Sequence, residues 1–496
     1  MFVGTCSDAG KSVVNAAFCR IFKQDGYRPA PFKAQNMSLN SYSTLEGGEM
    51  GRAQVVQAEA CGIAPHTDMN PVLLKPTNDK NSQVIVNGKP VGNMSAKDYF
   101  GITNQKEKLF REATEAFKRL ESQYNPIVLE GAGSISELNL RDRDITNMRM
   151  ALQAGASTYL IADIDRGGVF GSVYGTIALL RPEERKLIKG IIINKFRGDA
   201  SLFEEGREIL HKLTGIPVVG VIPWFRDIKI EEEDSVVLEM KNNTFRRGKI
   251  NVAIVLLKRM SNFTDFDVLD IDPRFNPYYT NNREEIVKAD IILLPGSKNT
   301  LSDLQHLRST GIAEAIIQAH KAGKKVIGIC GGYQMMGIRV EDPEGMEGNL
   351  PAVPGLGLLP QYTIIGPEKI TRQRFFSFLP GRKEKGNELS FDCKGYEIHM
   401  GRTFLMGNVE EKPVALLDDN RTDGYYRNTT CWGSYMHGIL DNPVVLDNLA
   451  EGFDTADAPV SFDYAAFKEE QYNKLAHLVR SHIDMEYIYN ELKAGR

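Results

Sequence analysis

Short apolar runs alternate with longer amphipathic stretches through the first half of the chain. The runs 126–133 (PIVLEGAG), 157–165 (STYLIADID), 189–196 (KGIIINKF) and 216–223 (IPVVGVIP) are apolar at their centres, as strands buried on both faces of a parallel sheet are. Between them lie segments such as 106–123 (KEKLFREATEAFKRLESQ), whose apolar residues recur at three and four positions like one buried helix face. The acidic run 231–234 and the polar run 241–249 break the pattern, and a second series of apolar runs follows at 250–257, 289–296 and 324–332. Residues 389–435 are richer in aromatics and Thr, with few helical periods, and the chain beyond 458 reads as helices. The pattern predicts an α/β protein: two parallel-sheet α/β domains in series, residues 1–230 and 250–445, then a helical C-terminal segment, 446–496.

Length supports this division, since 496 residues exceed what one ordinary core holds. A formal net charge of −4 gives no sign of nucleic-acid binding. No apolar run approaches the ~18 residues of a membrane span, and the first residues lack the basic start and apolar core of a secretory signal. Six cysteines (Cys6, Cys19, Cys61, Cys330, Cys393 and Cys431) are scattered without a C-x-x-C pair, a usage that fits reduced thiols in a cytoplasm. The expected location is cytoplasmic, with no nucleic-acid partner and no membrane span.

Two places carry chemistry. The first is GTCSDAGKS, Gly4 to Ser12. A Gly-rich turn between strand and helix aims backbone N–H groups at an anion, a Lys adds charge at the β/γ-phosphates, and a Ser hydroxyl ligates Mg²⁺. Gly10, Lys11 and Ser12 supply these parts, with Thr5 and Asp8 in the same loop, and residues 13–26 read as the helix that follows. Five residues separate Gly4 from Gly10, one more than in the standard P-loop. Further segments end predicted strands where open α/β sheets bind ligands: LEGAGS with Glu130, ADIDRGGVFGS at 162–172, and INKFRGD with Asn194 and Lys195. Glu130 and Ser12 are the candidate Mg²⁺ ligands, and ATP is the candidate nucleotide. The longer loop resembles that of dethiobiotin synthetase and its relatives, which implies phosphorylation of a carboxylate or carbamate.

The second place is KKVIGICGGYQMMG, 324–337. Buried strand, sharp turn and helix put Cys330 on an elbow, where small neighbours leave a nucleophile exposed. His437 in GSYMHGIL is the candidate base. The string Gly328 to Gln334 resembles the elbow of triad-type glutamine amidotransferases, which implies a glutamyl thioester and release of ammonia. The acid that usually stands two residues after the His is replaced by Ile439. The third member is therefore missing or supplied elsewhere, with Glu397 and His399 as candidates.

Longer strings join the two places. PFKAQNMSLNS (31–41), EMGRAQVVQAEACGIAP (49–65), LEGAGSISELNLRDRDITNM (129–148), DIDRGGVFGS (163–172), PGSKNT (295–300) and GYEIHMGRT (395–403) resemble the cobyric acid synthases over essentially the whole chain. That resemblance implies ATP- and glutamine-dependent amidation of the b, d, e and g propionates of adenosylcobyrinic acid a,c-diamide, through acyl phosphates. Gln35, Asn36 and Asn40 are candidates for contact with corrin amides and carboxylates, or are plain turn residues. Asp142 and Asp144 position substrate or metal, or belong to a solvated salt-bridged loop. Rival readings are a two-domain amidotransferase acting on another carboxylate, an ATP-driven partition switch, and a stand-alone cysteine hydrolase. Only three residues precede Gly4, so the first strand is expected to be frayed or to begin upstream.

Overall fold

The computed structural model describes residues 1–77, 81–95, 103–231, 245–381, 391–454 and 462–494. Of the runs 231–234 and 241–249, residues 232–234 and 241–244 lie outside the described residues.

In the first half, the strands Phe2–Gly4, Thr158–Asp163, Ile188–Phe196 and Val218–Pro223 form a parallel sheet in that order. A bridge between Phe2 and Glu130 extends it to the parallel pair Ala30–Phe32 and Ile127–Leu129. The apolar runs form these strands because both faces are covered, and Leu160, Ile161, Ile192 and Ile193 are fully buried. The short first strand is not frayed. It lies inside the sheet, with all three residues buried. Gly131 N donates to Phe2 O at 2.8 Å on one side, and Tyr159 N donates to Met1 O at 2.8 Å on the other. A four-stranded sheet that the apolar pattern did not reveal branches from this half. Gln35–Met37 runs parallel to Val72–Pro76, which continues antiparallel into Asn81–Val86 and Lys89–Ser95.

The second half repeats the design. Phe275–Thr280, Ile250–Val255, Ile291–Leu294, Lys325–Ile329 and Cys431–Ser434 are parallel neighbours, and Tyr425–Asn428 closes the edge antiparallel. Beside this sheet stands a long antiparallel hairpin, Gln361–Phe378 with Cys393–Leu405. It reaches the first half, where Lys369 bonds Glu49 and Gln373 bonds the Ser43 carbonyl.

The C-terminal helices divide between the halves. Pro443–Ala450 packs into the second core through Val445 and Leu449. The helix Tyr464–Arg480 instead crosses back to the first half, where Tyr472, Leu475 and Val479 cluster with Phe18 and Ile21 of the helix Lys11–Gln24. Arg20 pairs there with Glu469 at 2.9 Å, and Ile483 bridges to Gly220 in the first sheet. A further seam joins the halves directly. Phe263 N donates to Asn40 Oδ1 at 3.0 Å, and Asn262 exchanges bonds with the Ser41 backbone at 2.9 and 3.2 Å.

Candidate functional site

The loop after Phe2–Gly4 turns at Asp8 (φ 54°) and Gly10 (φ 95°) before the helix Lys11–Gln24. Gly10 is required twice over. Its φ is left-handed, and a Cβ would come within 2.1 Å of Asn194 Nδ2. Asn194 spans from the neighbouring strand end to donate to Ala9 O at 2.8 Å, and Lys195 donates to Asp8 O at 2.6 Å and to Asp163 at 2.9 Å. Arg166 pairs with Asp8 at 2.8 Å. Thr5 is buried at the strand exit, its N–H donating to Ile161 O at 3.0 Å. Lys11 folds over the loop and donates to Cys6 O and Gly133 O, each at 2.9 Å. Burial pushes its pKa down against the pull of Glu130.

Glu130 is the buried carboxylate of this end of the sheet. It accepts from Ser12 Oγ at 2.8 Å, Lys33 Nζ at 2.8 Å and Gln57 Nε2 at 2.6 Å. Burial opposes its ionisation, but Lys33 and these hydrogen bonds outweigh burial and hold its carboxyl below the usual range. Lys33 and Gln57 lie within the strings 31–41 and 49–65, but nothing in their local spacing singles them out as partners of Glu130. Both come from elements that only the folded sheet brings beside the loop.

A cleft of about 560 Å³ adjoins Gly133 and is lined by Gln35, Lys106, Asp142, Asp144 and Arg149 among others. Asp142 is exposed and pairs with Arg181 at 2.9 Å. Asp144 accepts from Thr146 N at 2.7 Å and Asn147 N at 3.2 Å, while burial raises its pKa. The structure separates Asn36 and Asn40 from Gln35. Both are buried. The Asn36 side chain donates to Gln54 Oε1 at 3.0 Å, and Asn40 serves the seam between the halves.

Cys330 joins the strand Lys325–Ile329 to the helix Gly331–Met336 at φ 51°, ψ −109°, a strained conformation for a residue with a side chain. Its glycine neighbours have steric reasons. A Cβ on Gly332 would lie 2.0 Å from Leu294 O, and one on Gly331 would lie 2.7 Å from Ser297 N. The Cys330 sulfur and His437 line one small cavity.

The carboxylate that orients His437 is Asp265. Its Oδ2 lies 2.7 Å from His437 Nδ1, and its Oδ1 accepts from Gly438 N at 2.9 Å. Both side chains are almost wholly buried, at 2% and 3% exposure. Burial disfavours the charged imidazole, yet Asp265 and then the Cys330 sulfur raise its pKa to about 10. With Nδ1 held by Asp265, Nε2 is the nitrogen left for the thiol. Glu397 and His399 pair with each other at 3.4 Å, and Glu397 also binds Arg374 at 2.6 Å. Among the described residues, neither hydrogen-bonds His437. Asp265 stands 172 residues before His437, in the short 3-10 helix Phe263–Phe266. That distance along the chain hid it from any reading based on local spacing.

Comparison with known proteins places both halves. Residues 1–237 match the CobQ/CobB/MinD/ParA nucleotide binding domain, and residues 251–445 match the CobB/CobQ-like glutamine amidotransferase domain. A "Cobyric acid synthase" of Parabacteroides distasonis is 82% identical over 99% of this chain and 98% of that protein. One of Bacteroides fragilis is 59% identical over 99% and 98%. One of Photorhabdus laumondii is 45% identical over 100% and 98%. With a nucleotide-binding half, an amidotransferase half and such identity along its whole length, the chain belongs to the cobyric acid synthase family.

Proposed function

We propose that this protein amidates propionate carboxylates of adenosylcobyrinic acid a,c-diamide, using ATP to activate each carboxylate and glutamine as the source of nitrogen. The observation that carries the reading is the Cys330–His437–Asp265 constellation in one chain with a phosphate loop whose helix begins at Lys11. Ammonia production and carboxylate activation are complementary half-reactions.

In the second half, the Cys330 sulfur attacks the side-chain carbonyl of glutamine, and His437 hands a proton to the departing nitrogen. Asp265 keeps the imidazole in the orientation and charge state this transfer needs. Water then releases glutamate from the thioester. In the first half, the terminal phosphoryl of ATP passes to a corrin carboxylate, and ammonia displaces phosphate from the mixed anhydride. Lys11 and the loop N–H groups steady the phosphoryl charge during transfer, as preorganised donors do. Asn194 and Lys195 hold the loop's shape from the adjacent strand. One buried carboxylate beside a Ser hydroxyl suits Mg²⁺, which takes few protein ligands and completes its shell with phosphate and water. Glu130 and Ser12 would hold that ion, which when bound neutralises phosphate charge. The cleft at Gln35, Asp142 and Asp144 is the place for the corrin rim.

The test is mass spectrometry of the corrin after incubation with ATP, Mg²⁺ and glutamine. Stepwise replacement of carboxylate OH by NH₂, four times and dependent on both ATP and glutamine, is the expected result. An unchanged corrin with glutamine consumed would refute the reading.

A further inference from the structure

Asp265 fixes one nitrogen of His437, and a ring held at a single atom is still free to tilt about that bond. The face of the imidazole is covered by Tyr396, whose ring stacks on it with 5.3 Å between centroids and 23° between planes. The two backbones are joined as well. Tyr396 N donates to His437 O at 3.0 Å, and His437 N donates to Tyr396 O at 2.9 Å. Tyr396 is buried on the strand Cys393–Leu405, so this support belongs to the second half.

Its hydroxyl reaches the first half. It donates to the Ser41 carbonyl at 3.3 Å and accepts from Asn262 Nδ2 at 3.1 Å. The Asn262 amide donates to that same carbonyl at 2.9 Å, so phenol and amide converge on one oxygen. Tyr42, the next residue after Ser41, packs its ring against Tyr396 with 4.7 Å between centroids. Arg52 in turn lies over the Tyr42 ring at 5.1 Å and bonds both oxygens of Glu231, at 2.6 and 2.9 Å. The phenol therefore rests on a part of the first half that is itself held in place.

Stacking alone would be served by Phe, and a buried hydroxyl is costly unless it is bonded. The seam between the halves already closes through Asn40 and Asn262. What the tyrosine adds is a rigid link from that seam to the plane of the imidazole. Building on the reading of Cys330 and His437 as a glutaminase, we infer that Tyr396 is a positioning residue for His437 and that the first half supplies its seat. Asp265 sets the tautomer and charge of the ring, and Tyr396 sets its tilt. The proton-transfer geometry at Cys330 is then complete only when the two halves are docked.

Ammonia release from glutamine by the full chain tests it. Each kcat is divided by the ammonia-driven amidation rate of the same preparation, so an unfolded fraction cancels. Tyr396→Phe keeps the stack and removes the hydroxyl. Its kcat should fall about tenfold with KM within about twofold, as loss of one orienting hydrogen bond predicts. Tyr396→Leu also removes the stack and should cost about 10²-fold. Tyr42→Leu, which alters only the first half, should lower the same kcat about fivefold. A merely structural role would not move the next readout, a double-mutant cycle. Placed on Asp265→Asn, Tyr396→Phe should cost less than about twofold, because both residues act through one imidazole. A Tyr396→Phe kcat within about twofold of wild type, a change in KM alone, or full additivity with Asp265→Asn would overturn the assignment. If no Tyr396 variant yields protein, Tyr42→Leu decides, and a kcat within about twofold of wild type overturns the seat. Failure of wild type to release ammonia from glutamine would instead remove the parent reading.

Discussion

Asp265→Asn isolates the buried carboxylate behind His437. Raising the imidazole from 6.5 to about 10 corresponds to ~5 kcal/mol in favour of its charged form, at ~1.4 kcal/mol per tenfold. Asp265 and the Cys330 sulfur share that preference. If Asp265 supplies half, its loss costs about 2–3 kcal/mol, or roughly 10²-fold in glutamine hydrolysis. Asn is nearly the same size and can still meet Gly438 N, so the backbone is expected to hold. The assay is kcat and KM for glutamine beside the ammonia-driven rate. The kcat should fall by about 10², KM should stay within about threefold, and the ammonia-driven rate should not change, because only the timing and charge of proton transfer are altered. Stability provides a second readout. The folded pKa lies above the unfolded value, so the stabilisation is complete below pH 6.5 and fades as pH rises towards about 10. The difference in Tm between wild type and Asp265→Asn should shrink across that window. Glutamine turnover within about threefold of wild type would refute Asp265 as the orienting group.

Cys330→Ser should abolish glutamine-dependent corrin amidation and spare the ammonia-driven reaction at alkaline pH; equal loss of both would contradict two separate sites. Lys11→Ala should remove ATP-dependent amidation while ammonia release from glutamine continues, and corrin amidation near the wild-type rate would exclude the loop as the phosphate site. Gly332→Ala forces a methyl to 2.0 Å from Leu294 O and should cost at least about 2 kcal/mol, lowering Tm by several degrees. Gly366→Ala, with no atom within 4 Å of the added carbon, should melt with wild type.

The sequence was most legible where one local rule acts alone. Apolar runs such as 157–165 became buried parallel strands because burial on both faces is what such runs require. Lys11, Ser12 and Glu130 met at one sheet end because strand ends gather loops that are distant in sequence. Residues held by long-range contacts were harder to read. Asp265 serves His437 from 172 residues earlier in the chain. Lys33 and Gln57 sit in stretches whose pattern announces only strand and helix. The three candidates Gln35, Asn36 and Asn40 do not share one surface, because the chain turns between them. Gln35 faces the cleft, while Asn40 faces the other half.

The return of the helix Tyr464–Arg480 to the helix Lys11–Gln24 changes what counts as a module. In connectivity, the amidotransferase is an insertion, bounded on both sides by chain that belongs to the synthetase core. One cut before Ile250 would not yield two self-sufficient proteins. The N-terminal piece would expose Phe18 and Ile21 to water, and the C-terminal piece would carry the displaced cover. Exchange of one amidotransferase for another must therefore respect two seams, before Ile250 and again along the helix Tyr464–Arg480, whose first residue still packs in the second core. The same arrangement fixes the stoichiometry at one ammonia generator per activating site, independent of concentration.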